Sequence, residues 1–311
     1  MICTDCKVNC QRFGKHRNGL RRFRCAQCKR TFTEAHKRTL GEMYISEEKA
    51  LLAIQLLLEG NSIRSTERIT NLDRNTIMKL LVLAGEKCEK LLGRLIVNVP
   101  VKDVQVDEIW GFVGKKQRAL EPGDDPSFGD AYTFVAMERH SKLVLNFALG
   151  KRNQTTTDAF IEGLRLATAS NNFQITADGF APYVSAIDTT LGDRVDFAQL
   201  IKVYRATPEG ERRYSPAEVV STEVVPVIGQ PESGRICTSH VERQNLTMRM
   251  QIKRLARLTL CFSKKWENLW AALCLHFAYY NFCRVHRTLR VTPAMESNLT
   301  DHVWDISELL A

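Results

Sequence analysis

The sequence predicts an α/β protein: a mixed five-stranded sheet with helices, preceded by a small zinc ribbon or finger and a helix-turn-helix. Three observations lead there. Two Cys-x2-Cys pairs lie within the first 28 residues, capped helical periodicity begins at Ser46, and beyond residue 99 strand-like runs give way to alternating strands and helices. The 311 residues accordingly divide into 1–40, 44–98, 99–290 with an insertion at 206–236, and a tail at 291–311. A 44% hydrophobic, 25% charged composition excludes wholesale disorder, and ten cysteines are too sparse for a disulfide-stapled scaffold. The longest uncharged stretch, 268–283, is too short and too polar for a membrane span and reads as a core helix. With no apolar run at the N-terminus, the expectation is a soluble, cytoplasmic protein in a reducing compartment.

Charge is concentrated at one end. Residues 1–40 hold four Lys and seven Arg against Asp5 and Glu34, a net of +9, whereas the other 271 residues hold 33 basic and 33 acidic side chains. Such a block is either a solvated tail or the electrostatic footprint of a nucleic-acid binder. The cysteines favour the second. Cys3-Thr-Asp-Cys6 and Cys25-Ala-Gln-Cys28 are separated by eighteen residues, a spacing that lets four thiolates surround one structural zinc ion. A redox Cys-x-x-Cys would want an apolar strand before it, and neither pair has one. Cys10 is read as a spare. Arg12, Lys15, Arg17, Arg21, Arg22, Arg24, Lys29 and Arg30 alternate with Phe13, Phe23 and Phe32. The aromatics are expected to pack over the zinc, leaving the basic side chains to meet the phosphates of DNA or RNA.

From Ser46 an N-cap with an acidic first turn introduces a helix that stops at Gly60-Asn61. A short helix at 62–69 follows, then one over 74–83 capped by Asp73, with 85–98 as a helical connector. Three helices with tight turns suggest a helix-turn-helix, whose third helix offers Arg74, Asn75, Thr76 and Lys79 to the major groove. A helical linker or dimerisation element is the plainer alternative.

Residues 99–113 alternate as a strand, with Asp107 on its polar side. Runs at 131–137 and 143–149 complete a meander. A helix with a Thr cap follows at 155–169, then a strand at 173–177 ending at Asp178-Gly179, a helix at 180–189 and a strand at 197–204. The order βββαβαβ, then helix, is the ribonuclease-H-like arrangement, with both aspartates on its strands.

The third acid is Glu242, on a helix beginning near Ser239. At about 100° per residue, Arg249 and Lys253 fall within about 20° of it, while Val241, Met248, Ile252 and Leu255 form a core-facing stripe. Seven Lys/Arg and no acid occupy 243–265, so Arg249, Lys253, Arg254 and Arg257 are expected along a DNA backbone. Asn245, one turn beyond Glu242, is read as packing, with orienting a metal-bound water as the alternative. Phosphodiester cleavage needs an activated oxygen nucleophile and a stabilised leaving oxygen. A pair of divalent ions about 3.5–4 Å apart supplies both, and such ions want carboxylate oxygens.

These residues carry a resemblance. The segment Arg22-Phe-Arg-Cys-Ala-Gln-Cys-Lys-Arg-Thr-Phe32, the Val106-Asp-Glu-Ile-Trp110 and Thr176-Ala-Asp-Gly179 motifs, Glu242-Arg-Gln-Asn-Leu-Thr-Met-Arg249 and the basic run 253–264 resemble the DDE-type transposases of the insertion-sequence-one family of bacterial mobile elements. The resemblance extends over nearly the whole chain. It implies Asp107, Asp178 and Glu242 as catalytic acids holding two Mg²⁺ or Mn²⁺ ions. It also implies double-stranded DNA (element ends and target) as substrate, a homo-oligomer on DNA, and a nucleoid-associated location. One departure stands out: 64 positions separate Asp178 from Glu242, more than is common in the family, and the intervening 207–235 reads as an inserted loop offering the rival acids Glu218, Glu223 and Glu232. The competing readings are a structure-specific nuclease of the same fold and a non-enzymatic zinc-finger/helix-turn-helix regulator.

Overall fold

A computed structural model of the chain describes residues 1–16, 19–34, 40–41, 43–205 and 219–311, leaving aside the side chain of Tyr204. Arg17 and Glu218, both singled out from the sequence, lie outside the described residues. The chain falls into two units, Met1–Glu42 and Met43–Ala311.

In the first unit β1 (Cys10–Lys15), β2 (Arg21–Cys25) and β3 (Thr31–Thr33) form an antiparallel sheet in that order. The two cysteine pairs fold alike. In each, the residue after the second cysteine, Lys7 or Lys29, is left-handed (φ 56° and 60°) and returns its amide to the carbonyl of Cys3 or Cys25. These tight knuckles bring the four sulfurs together. Phe13 departs from the sequence expectation, whereas Phe23 and Phe32 are half-buried. Phe13 is 42% exposed, with the guanidinium groups of Arg22 and Arg24 stacked over its ring at 5.5 and 5.1 Å, because so thin a sheet has no second layer to cover it.

The second unit opens with α1 (Glu47–Leu58), α2 (Ile63–Thr70) and α3 (Arg74–Leu95), capped by the side chains of Ser46, Ser62 and Asp73. Asn71, left-handed at φ 54°, turns α2 into α3. The sequence suggested a short third helix and a separate connector; instead α3 is continuous for 22 residues. Gly85 does not break it. A Cβ there would sit 2.4 Å from Cα of Ala271, so the glycine permits close crossing of α3 and α7 (Trp266–Phe282). The short α8 (Pro293–Glu296) packs on α7, and α9 (Ile306–Leu309) on α3 and α7.

The sheet of this unit runs β6-β5-β4-β7-β8-β9, with β4 (Asp103–Val113), β5 (Gly129–Glu138) and β6 (Val144–Gly150) as an antiparallel meander. β7 (Phe173–Ala177) and β8 (Val195–Tyr204) lie parallel to β4. The first five strands have the order and directions of a ribonuclease-H-like sheet. The sixth, β9 (Val219–Ile228), pairs antiparallel with β8 and is drawn from the supposed insertion, so part of that segment extends the sheet. α4 (Gln154–Ala167), capped by Asn153 rather than by a threonine, and α5 (Pro182–Leu191) cover one face over buried Phe134, Phe160 and Tyr183. α6 (Ser239–Gln251) packs on β4 and β5.

The polar residues of the uncharged stretch now have their reason. Asn281, fully buried on α7, accepts from the amide of Val144 at 3.0 Å and donates to its carbonyl at 2.9 Å, which satisfies the start of β6. Among the described residues no helix is long and apolar enough to cross a membrane.

Candidate active site and cysteine cluster

Strand register builds the acidic site. Gln105 on β4 pairs with Thr176 on β7, so two residues further on Asp107 stands beside Asp178, where β7 has just ended. Asp178 is fixed at that end because its carboxylate accepts from the amide of Phe180 at 3.0 Å, and its carbonyl receives the Gln199 amide at 3.1 Å. Carboxylate oxygens of Asp107, Glu108 and Asp178 lie within 4.8 Å of one another. Glu108 is the member that sequence alternation missed. Its side chain is only 3% exposed and receives Nε of Arg152 at 3.1 Å, while Nη2 of Arg152 reaches Asp178 at 3.7 Å. The guanidinium lies 3.9 Å over the Phe180 ring, so Arg152 holds two acids at once from the α4 side.

Electrostatics follow the crowding. Burial, with Asp178 close by, pushes the Asp107 carboxyl up to about 7. Burial and Asp178 also raise Glu108, whose Oε1 is buried without a hydrogen bond. The Tyr183 hydroxyl, equally unsatisfied, stands against the same carboxylate. Three crowded hard oxygen donors and one orphaned carboxylate oxygen suit a divalent cation, whose charge would relieve both the repulsion and the desolvation.

Glu242 approaches from the other wall. With Asp107, Glu108, Asn245, Arg249 and Arg257 it lines a cleft of about 500 Å³, yet it stands outside the tight acidic cluster. Burial pushes its pKa up, but the Lys202 ammonium and the Thr238 hydroxyl outweigh this and hold it below the usual carboxylate range. Lys202, on β8, had no sequence signal. Neither had Arg152, since both act only through tertiary contact. Asn245, read from sequence as packing, donates to Asp107 at 2.8 Å.

The basic residues on and after α6 divide. The predicted core stripe of Val241, Met248, Ile252 and Leu255 is buried. α6 ends at Gln251, however, so Lys253 lies in a following turn rather than on the face of Glu242. Arg249 is occupied by the carbonyls of Leu255 (2.9 Å) and Trp110 (3.2 Å), tying that turn to β4. Arg254 is half-buried, with one guanidinium nitrogen on Ser263 at 3.0 Å, and braces the chain. Arg257 is exposed at the cleft edge. Of the rival acids, Glu223 sits on β9 opposite Ile201, and Glu232 pairs with Arg235 at 3.3 Å.

On α3, Arg74, Asn75 and Lys79 are exposed and Thr76 half-buried. In the N-terminal unit Arg21 and Arg24 are exposed and Arg22 half-buried. There the sulfurs of Cys3, Cys6, Cys25 and Cys28 lie within 4.8 Å of one another, with Cys3 and Cys25 fully buried. Backbone amides of Cys6 and Cys28 each point at the first sulfur of their own pair at 3.5 Å. Amide donation from Cys28 lowers the Cys25 thiol to about 7. The Cys28 thiol holds Cys6 up at about 12. Four convergent sulfurs suit a tetrahedral soft-ligand ion. Cys10 stays out, its sulfur 4.0 Å from the Val8 carbonyl.

The sheet has a ribonuclease-H-like order, with acids on β4 and just past the end of β7 and a helix-borne acid lining a cleft with Asp107, an arrangement suited to metal-assisted phosphoryl transfer. The IS1 transposase family profile matches residues 229–278, the stretch that contains Glu242 and α6. The InsB protein of insertion element iso-IS1n from Shigella dysenteriae is 27% identical over 163 residues, covering 52% of this chain and 84% of that protein. Over these stretches the chain is similar to IS1 transposases. Solved structures that resemble it include the piggyBac transposase synaptic complex with hairpin DNA (11% identity, 89% of this chain and 71% of that one, TM-score 0.42). The Mos1 mariner paired-end complex with Mn also resembles it (15% identity, 52% of this chain and 61% of that one, TM-score 0.21).

Proposed function

We propose that the chain binds the terminal inverted repeats of its element, hydrolyses the phosphodiester at each end and transfers the freed 3′-hydroxyls to target DNA. The observation that carries this reading is the clustering of the Asp107 and Asp178 carboxylates, with Asp107 and Glu242 lining one cleft. In hydrolysis a water oxygen bonds to phosphorus and the 3′-oxygen leaves; in joining, that 3′-oxygen attacks a target phosphate and a target 3′-oxygen leaves. Two divalent ions, Mg²⁺ or Mn²⁺, when bound supply a Lewis acid and charge neutralisation at both oxygens.

Asp107, Asp178 and Glu242 are the residues to hold them, with Glu108 as a further carboxylate beside the first two. Arg152 bridges Glu108 and Asp178, and Lys202 keeps Glu242 ionised while metal is absent. Asn245 fixes the rotamer of Asp107. Arg257, at the cleft edge, and Lys253, in the turn after α6, are the side chains to meet DNA phosphates. Arg249 and Arg254 support the same wall from within.

DNA affinity is divided. The N-terminal unit, its fold held by one zinc on Cys3, Cys6, Cys25 and Cys28, contributes charge-based attraction through side chains such as Arg21, Arg22 and Arg24. The start of α3 supplies base contacts through Arg74, Asn75, Thr76 and Lys79. Two ends must be processed together, so the active form is a dimer or larger on DNA, working at the bacterial nucleoid in the cytoplasm. The test is to incubate the chain with duplexes of its element's own termini, target plasmid and Mg²⁺, and to look for nicked ends and joined products. Nicking without joining would leave only a nuclease; neither, with binding intact, would leave a regulator.

A further inference from the structure

Two leucines stand out against water. Leu258 and Leu260 are 85% and 92% exposed, more than any other large apolar side chain among the described residues. They sit in the short connection between α6 and α7, and that connection is not loose. At one end Leu255 is buried against Gly111 of β4 and Arg249 grips the Leu255 carbonyl. At the other end Ser263 bridges to Val113, receives the Gly114 amide at 2.9 Å and accepts from Arg254 at 3.0 Å. Phe262 packs on Phe112 with ring centroids 4.8 Å apart, and the amide of Cys261 closes on the Thr259 hydroxyl at 3.0 Å. Both anchors are on β4, the strand of Asp107.

Leu258 is also left-handed, at φ 55°, a conformation that asparagine or glycine adopts at less cost. An exposed leucine held in a strained backbone on a braced loop gains nothing for folding. The neighbourhood indicates what it meets. Arg257, next in sequence, lines the acidic cleft with Asp107 and Glu242, and Lys264 and Lys265 follow. Arg243, Arg257, Lys264 and Lys265 are exposed and no acid occurs in 243–265, a surface complementary to a polyanion and unlike one shaped for a second copy of itself.

We propose that Leu258 and Leu260 form an apolar wedge that enters the base stack of duplex DNA beside the scissile phosphate, displacing a base while Arg257 and Lys264 hold the flanking phosphates. The proposal rests on the reading of the chain as cutting its element's ends. Apolar side chains inserted between base steps unstack them and bend the duplex, and a displaced base lets the phosphate backbone rotate toward the acids.

The experiment uses the full chain and duplexes of the element's own termini, with 2-aminopurine placed in turn at each position around the cleaved bond. The comparison is with Leu258→Asn, Leu260→Ser, a double variant that suits the left-handed backbone and removes no buried contact. Wild type should brighten the probe at one or two positions next to the cut. The variant should leave it dark, bind the ends within about threefold of wild type, and cleave about tenfold more slowly or worse. An abasic site at the brightened position should restore its cleavage to within about threefold of wild type, because the base no longer needs displacing. Unchanged cleavage of paired DNA, loss without abasic rescue, or a change in oligomeric state on light scattering would overturn the wedge. A wild-type chain that binds the ends and cuts none of them, with or without an abasic site, would overturn the end-cutting reading and the wedge with it.

Discussion

Asn245 donates its side-chain amide to Oδ2 of Asp107 at 2.8 Å, and through that bond the helix bearing Glu242 is tied to the central strand. The other Asp107 oxygen takes the amide of Glu108 at 2.8 Å, so both lone-pair directions toward the protein are used and the rotamer is fixed. Replacing Asn245 by Ala should leave end binding near wild type and lower cleavage by about tenfold, the worth of one hydrogen bond to a charged group. A Mg²⁺ titration should show a higher half-saturating concentration. A variant with wild-type metal dependence would return Asn245 to a packing role.

Asp107 also predicts a pH dependence of stability in the metal-free protein. Its folded pKa, near 7, lies above the unfolded carboxylate value of about 4, so the folded state binds the proton more tightly. Its favourable contribution is therefore complete below about pH 4 and is lost as pH rises through about 7; Glu108 acts in the same direction. Thermal melts without divalent ions should fall between pH 5 and pH 7.5 by more in wild type than in Asp107→Asn. Added Mg²⁺ should raise the wild-type midpoint more at the higher pH. Equal slopes for the two proteins would show that Asp107 is not titrating in that window.

The cysteine cluster predicts metal-dependent folding of the N-terminal unit. Changing Cys25 and Cys28 to Ser should release about one zinc per chain and abolish the dispersed NMR signals of β1 to β3, since so small a sheet cannot hold on its apolar contacts. Cys10→Ser should keep both. Persistence of the strands in the double variant would separate the fold from the metal.

At the start of α3, Arg74 is exposed and its backbone amide is held by Glu67 at 3.2 Å, which leaves the guanidinium available for DNA. Arg74→Ala should weaken binding to element ends by about 1–3 kcal/mol while affecting random duplex far less. Competitive gel shifts with the two DNAs measure the difference, and equal losses would argue for phosphate contact alone.

Much of this was legible in the chain. The strand at 173–177 and Asp178 at its end follow from a short β-branched run meeting Asp-Gly, and the doubled Cys-x2-Cys spacing located the sulfur cluster. Other features were not. Glu108 should point away from Asp107 on an alternating strand, yet its carboxylate meets those of Asp107 and of Asp178, which stands just past the end of β7. Helical periodicity carried Lys253 onto the face of Glu242, but α6 stops at Gln251 where Arg249 draws the turn onto β4. The pairing of β9 with β8 was hidden because Pro, Gly and Glu around it read as a loop, whereas its register is set by a distant partner. Lys202 and Arg152 are surface charges in the sequence and site residues only after the sheet has formed.

The central claim is that Asp107, Asp178 and Glu242 act together although Glu242 rests on Lys202 when metal is absent. Its most direct test is cleavage of element-end duplex by Glu242→Gln, an exchange that keeps shape and removes charge, beside Glu223→Gln and Glu232→Gln. The account predicts that all three bind the ends as wild type does. Only Glu242→Gln should lose cleavage, by about a thousandfold or more, as expected when a ligand to a catalytic ion is neutralised. Normal cutting by Glu242→Gln, or collapse in either of the other two, would contradict it.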